Sequence, residues 1–297
     1  MSKQQSEPRL AYEVETVYAE DNVPLPLKYF TATKNRSQQS PTLILFPAMG
    51  VKNSFYTTFI AHLNNQGLNV VCASIRGNGG TGIDVTQGDD FGIFDIIQYD
   101  FPCIINAAKI RFPASRYLLA GHSLGGILSA LYASSQLKDD HVSGLICIAS
   151  CSNYYRGWSF PHRYLIASQL ILAKAVVRLK GYFPGPWFKF AGNEAKQLFL
   201  DWSATGLTGH YKNIKSPFDF ENLLAELKIP VLNFSFEGDK LAPQRATENL
   251  FSKLVKAPVT SIHLSPADLS LERVSHFSWA KKPDAIVSRI NDWLFSA

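Results

Sequence analysis

The chain has 297 residues, 46% hydrophobic and 18% charged: enough apolar material for one sizeable core, and too little charge for a disordered chain. Its formal net charge of +5 is mild and scattered, with no basic run, which argues against a nucleic-acid binder. The N-terminus, MSKQQSEPRL, is polar and lacks the apolar core of a secretory signal.

Taken in chain order, RLAYEVETVYA and LPLKYFTAT have β-type composition with partial alternation and predict an antiparallel pair. Lys34 to Pro41 is polar and predicts an exposed turn. Thr42 to Phe46 predicts a short buried strand, residues 53–65 a helix, Asn69 to Ile75 a strand and Asp95 to Ile110 a helix. A strand at Tyr117 to Ala120, a helix at Leu124 to Gln136 and a strand at Val142 to Ala149 continue the rhythm. Alternation of this kind implies parallel pairing with right-handed crossovers, hence an α/β fold on a mostly parallel, doubly wound sheet.

The rhythm breaks from about Ser152 to Ser216, a stretch rich in Trp, Tyr, Phe and Pro. It contains the helix-like segment His162 to Lys180 and the turn-prone GYFPGP. Sheet rhythm returns with Val231 to Phe236, a helix over Gln244 to Val255, the strand Val259 to Leu264 and a closing helix from Pro283. The chain thus divides into a core, 1–151 and 217–297, and an insertion, 152–216, expected to cap the sheet's carboxyl edge. Leu165, Leu172, Val176 and Leu179 follow helical spacing and predict a stripe facing the sheet or the insertion's own core. The aromatics, Tyr154 to Phe190, predict a small satellite core, with some of them lining an apolar pocket.

Tyr164 to Ala173 is the most apolar run, too short to span a bilayer, so no transmembrane segment is expected. Arg156, Arg163, Lys174 and Arg178 make weak contact with a membrane surface conceivable. Cys72, Cys103, Cys147 and Cys151 lie in or beside apolar segments without zinc-type spacing and read as buried thiols. The expectation is a cytoplasmic protein with no metal and no cofactor.

One motif carries chemistry. Gly121-His122-Ser123-Leu124-Gly125-Gly126 follows the strand YLLA and opens a helix, the context a G-x-S-x-G elbow requires. Such a turn forces Ser123 into a strained conformation and presents its hydroxyl above the sheet. His122 is the variable residue of the motif and is given no proton transfer. Here the sequence resembles the α/β-hydrolase superfamily over nearly its whole length, through GHSLGG, the turn Ile75-Arg76-Gly77-Asn78-Gly79 and the combination PAMG, GYFPG, SFEGDKLAP and LSPADL followed by SHF. That combination looks like a bacterial subfamily of predicted serine hydrolases without a settled substrate.

The resemblance implies the chain order Ser, acid, His. Asp239, in the exit loop of strand Val231 to Phe236, matches the family's acid, with Glu237 as competitor. His276, in RVSHFSW before the last helix, matches the family's histidine; His263, inside VTSIHL, reads as a strand residue. The oxyanion donors implied are the N–H groups of Leu124 and of Met49, although Pro47-Ala48 replaces the family's His-Gly before Met49. The function expected is a serine hydrolase acting through an acyl-enzyme on a carboxylic ester, thioester or lipid ester. Acyl transfer is the same chemistry with another acceptor. A non-catalytic or membrane-peripheral protein on the same scaffold is the alternative.

Overall fold

Short apolar runs set the architecture, because a strand buried on both faces needs no alternation and must sit inside a sheet. The computed structural model describes residues 10–33, 40–113, 115–135, 138–139 and 141–295. Its main sheet holds β1 (Glu13–Tyr18), β2 (Pro24–Phe30), β3 (Thr42–Phe46), β4 (Asn69–Ala73), β5 (Tyr117–His122), β6 (Val142–Ile148), β9 (Val231–Phe236) and β10 (Val259–Leu264). The strand order is β1-β2-β4-β3-β5-β6-β9-β10. β1 and β2 form the expected antiparallel pair, and β2 pairs antiparallel with β4; every later pairing is parallel. The turn expected at Lys34 to Pro41 lies, but for its last two residues, outside the described residues.

Successive residues of the central strands feed two cores, one on each face. Ile44, Phe46, Leu119, Leu145 and Cys147 pack on one side. Leu43, Leu45, Leu118, Ile146, Leu232 and Phe234 pack on the other. Both cores are closed by helices, among them Phe101–Arg111 and Leu124–Ser134 on the first face and Thr57–Asn65 and Asp284–Phe295 on the second. Parallel strands with crossovers bring the loops after β3, β5, β9 and β10 to one edge, where such folds bind ligands. Cys72, Cys147 and Cys151 are buried free thiols, and Cys103 is half-buried.

The RGNG turn after β4 is held by charge. Arg76 donates from its backbone N–H and Nε to the buried Asp100, each at 2.8 Å, and from Nη1 to Asp21 at 2.8 Å. A guanidinium this enclosed would be costly without both carboxylates.

Between β6 and β9 the chain leaves the sheet. Helices His162–Lys180 and Lys196–Thr208 pack together, with the two-stranded ribbon β7 (Tyr182–Pro184) and β8 (Asn193–Ala195) beside them. Ala173, Val177, Phe183 and Phe199 form a separate small core, joined by Phe188, Phe190 and Trp202. These aromatics therefore build the satellite core. Trp158 packs instead on the main core and donates to the Lys240 carbonyl at 2.9 Å.

Helix Lys196–Thr208 is pinned at its N-terminal turn. Gln197 N–H donates to Asp90 Oδ1 at 2.7 Å and Leu198 N–H to the Phe91 carbonyl at 2.8 Å. In return, buried Asp201 accepts from the N–H groups of Ile93 and Lys215. The helix thus answers its orphan N–H groups with core atoms.

Of the expected stripe, Leu165, Leu172 and Leu179 face outward and Val176 is half-buried at its edge. Leu165, Leu172 and Leu179 are 56%, 59% and 88% exposed, and the buried face is Leu170, Ala173 and Val177. Both sets repeat at helical spacing, so periodicity alone cannot choose between them; the flat, small-residue side at Ala173 fits closely against Phe183 and Phe199 and wins the core. Among the described residues no helix is long and apolar enough to cross a membrane.

Glu194, on β8, is buried with one oxygen accepting the Gly192 N–H at 3.1 Å. Burial raises its carboxyl from 4.5 to about 7, only partly offset by that bond. The folded chain therefore holds a proton that the unfolded chain releases between about pH 4.5 and 7, and stability falls as pH rises through that window, by roughly 3 kcal/mol at most. Glu194→Gln, which mimics the protonated form, should lose less stability than the parent between pH 5 and 8. Urea midpoints of the two proteins at those pH values check this; parallel curves would refute it.

Candidate active site

The elbow begins with a close approach. A Cβ on Gly121 would lie 2.1 Å from backbone atoms of Gly125 and Gly126, and one on Gly125 would lie 2.3 Å from the Phe46 carbonyl oxygen. Only glycine lets helix Leu124–Ser134 start this near β3 and β5. Ser123 takes the strain of the reversal, at φ 54° and ψ −116°. Such a conformation costs about 1–3 kcal/mol and persists only where its surroundings enforce it. Here the Ser123 N–H donates to the Ile148 carbonyl of neighbouring β6 at 2.9 Å. Ser123 is half-exposed at the strand's carboxyl end, while its neighbours are buried.

Asp239 lies after β9. The positive φ of Gly238, 84°, turns the chain so that Asp239 points inward while Glu237 stays exposed. Asp239 Oδ1 accepts the N–H groups of Leu241 and Ala242 at 2.9 and 3.0 Å. Its Oδ2 accepts from His276 Nδ1 at 2.8 Å. Both side chains are almost wholly buried. With Nδ1 donating to a carboxylate, Nε2 of His276 carries the lone pair and can accept a proton. His263 is elsewhere, exposed on β10 and bonded to Ser235 Oγ at 2.8 Å.

His122, adjacent to Ser123, has a structural part that sequence reasoning missed. Its Nε2 lies 3.0 Å from the His276 carbonyl oxygen, which only accepts, so Nε2 carries the proton. Nδ1 then accepts from the Tyr56 hydroxyl at 3.1 Å, and that hydroxyl accepts the Ala48 N–H at 2.9 Å. Trp279 Nε1 is 3.5 Å from His122 Nε2, at the limit of a hydrogen bond and with no lone pair to receive it. Burial, with His276 adding to it, pushes His122 well below the usual imidazole range, so the ring stays neutral. Burial likewise pushes the Tyr56 phenol far up and keeps it protonated. The chain Ala48–Tyr56–His122–His276 ties the loop after β3, the elbow and the histidine loop into one buried network. Phe55 stacks on His122, and Trp279 packs edge-on. The Ser123 hydroxyl makes no hydrogen bond among the described residues.

Leu124 is the first helical residue, so its N–H has no intrahelical acceptor. Met49 is half-buried in the loop after β3, and the Ala48 N–H beside it is already committed to Tyr56. Neither of the cavities of about 650 and about 500 Å³ touches Ser123, Asp239 or His276: the first lies between β1 and helix Phe101–Arg111, the second beside β10 and the last helix.

The family model described as "Serine aminopeptidase, S33" matches residues 37–206. No curated protein matches the sequence. Among solved structures, a soluble variant of monoglyceride lipase from Saccharomyces cerevisiae, in complex with a substrate analog, is similar at 15% identity and a TM-score of 0.71, covering 100% of this chain and 97% of that one. The Pyrococcus furiosus esterase Pf2001 is similar at 15% identity and TM-score 0.61, over 99% and 95%. The Pyrococcus horikoshii acylaminoacyl peptidase is similar at 14% identity and TM-score 0.60, over 96% of this chain and 41% of that one. At such identities the likeness establishes the fold.

The buried relay makes a testable demand. Tyr56→Phe keeps the ring but leaves the Ala48 N–H and His122 Nδ1 unpartnered, at a cost of about 1–3 kcal/mol. Urea unfolding should show that loss, and a variant as stable as the parent would show that the relay is not under load.

Proposed function

The chain belongs to the α/β-hydrolase family whose model is that of the S33 serine aminopeptidases, and from that premise we propose that it is a serine hydrolase cleaving a carboxylic ester through an acyl-enzyme on Ser123. The observation that carries the reading is the buried Asp239–His276 hydrogen bond beside a serine held in an elbow conformation. In this mechanism His276 Nε2 takes the Ser123 proton as Oγ attacks the carbonyl. Asp239 keeps the proton on Nδ1 and stabilises the imidazolium. The Leu124 and Met49 N–H groups receive the oxyanion. His276 returns the proton to the leaving alcohol, and water then resolves the acyl-enzyme by the same route. Esterase and lipase neighbours support an ester substrate; a thioester or lipid ester suits the same chemistry. The inserted segment, 152–216, is proposed as the cap of this site, and Ala191 and Gly192 already touch the loop bearing Met49 at Gly50.

A fluorophosphonate probe should label the purified protein, and Ser123→Ala should abolish both labelling and hydrolysis of p-nitrophenyl esters. Labelling that survives the substitution places the nucleophile elsewhere; a parent protein that neither labels nor hydrolyses esters favours the non-catalytic alternative.

The acid is tested separately. Asp239→Asn should lower kcat by roughly 10³–10⁴, because the amide lets the imidazole adopt the wrong tautomer. Exposed Glu237→Gln should leave kcat nearly unchanged. The opposite ranking in steady-state kinetics would overturn the assignment of Asp239.

A further inference from the structure

Helix His162–Lys180 buries one narrow face: Leu170, Ala173 and Val177. A helix lying on the surface of a protein ordinarily turns charge toward water on the opposite side. At 100° per residue, the side opposite this buried face carries Tyr164, Leu165, Ser168, Ile171, Leu172, Ala175 and Leu179, with no charge among them. Tyr164, Leu165, Ile171, Leu172 and Leu179 are all exposed, and Phe160 and Trp187 extend the patch beyond the two ends of the helix. Seven of the fifteen large hydrophobic side chains exposed among the described residues therefore gather on this one element and its flanks.

The charges that the helix does carry are all of one sign. Arg163, Lys174 and Arg178 lie along one border between the buried and exposed apolar faces, Lys180 closes the last turn, and the helix contains no Asp or Glu. Lys180 Nζ sits 4.3 Å over the ring of exposed Trp187. A basic border along an apolar face suits a surface that is apolar within and anionic at its rim, with long cationic side chains reaching to the headgroups.

We propose that the outer face of helix His162–Lys180 is a docking surface for an anionic phospholipid bilayer. The helix, about 28 Å long, lies in the plane of the interface. Leu165, Leu172 and Leu179 enter the acyl boundary, Tyr164 and Trp187 sit at headgroup level, and Arg163, Lys174 and Arg178 meet lipid phosphates. The inference rests on the surface of this helix and is independent of the acyl-enzyme reading.

Co-sedimentation of the full chain with sucrose-loaded vesicles tests it. Vesicles of 70% phosphatidylcholine and 30% phosphatidylglycerol should pellet the protein, and pure phosphatidylcholine vesicles should pellet at least tenfold less. Leu172→Asp with Leu179→Asp should reduce binding to the anionic vesicles at least tenfold, with unchanged circular dichroism, since both side chains are exposed. Lys174→Gln with Arg178→Gln should weaken binding and flatten its salt dependence. Failure to bind anionic vesicles, equal binding to both vesicle types, or binding unaffected by the Asp variants would overturn the proposal. So would a dimer in sedimentation velocity that the Asp variants dissociate, with no vesicle binding: the occupant would then be a second copy of the chain.

Discussion

The site depends on how closely helix Leu124–Ser134 approaches the ends of β3 and β5. Gly121 and Gly125 permit that approach, since any Cβ there would overlap backbone atoms that cannot move without breaking the sheet. Ser123 is left at the apex with a backbone conformation that no free peptide would favour. The strain is held from several directions. Its N–H is bonded to β6, its carbonyl accepts from the Gly126 and Ile127 N–H groups, and its neighbour His122 is locked between Tyr56 and the His276 backbone. A half-exposed side chain on so enclosed a backbone has little freedom to lose, which suits the nucleophile proposed at Ser123.

The fold was legible because most of its elements are local in their logic. Strands such as Leu43–Phe46 and Val70–Ala73 are buried on both faces and read as uninterrupted apolar runs. The residues of the candidate site were legible through family motifs, with Asp239 and His276 found bonded to each other. What stayed hidden was whatever depends on a partner distant in sequence. Tyr56 and Trp279 sit in ordinary amphipathic stretches and reveal nothing until the fold brings them to His122, 66 and 157 residues away. Helix Lys196–Thr208 escapes a local reading for a related reason: its start is set by contacts such as Gln197 with Asp90, whereas the short helix Phe220–Glu226 does carry a local signal in its Asp219 cap.

The stripe on helix His162–Lys180 shows the limit of periodicity from another side. Two sets of apolar residues, each at helical spacing, occupy different faces of the same helix. Hydrophobicity ranks Leu172 and Leu179 above Ala173, yet the core takes Ala173. The reason is steric: Phe183 and Phe199 stack with ring centroids 4.0 Å apart, and a small residue lets the helix close upon them. Packing quality decides which face is inside, and residual hydrophobicity is then displayed outside.

The inserted segment and the loop after β3 meet at Gly50, and the contact is between backbones. Gly50 has φ 68°, and a Cβ there would approach the Gly192 backbone nitrogen to 2.9 Å. Two independent requirements, a left-handed conformation and the absence of a side chain, therefore fall on one residue beside Met49. The neighbouring Gly192 N–H is held by Glu194, whose burial makes its charge costly, and β8 continues directly into helix Lys196–Thr208. That helix packs in turn on the inner face of helix His162–Lys180. From the outer apolar face to the loop bearing Met49 the contacts are unbroken, and the last of them has no side chain to absorb a shift. A displacement of the segment between β6 and β9 would consequently reach the Met49 loop as a backbone displacement, at the N–H proposed above to receive the oxyanion.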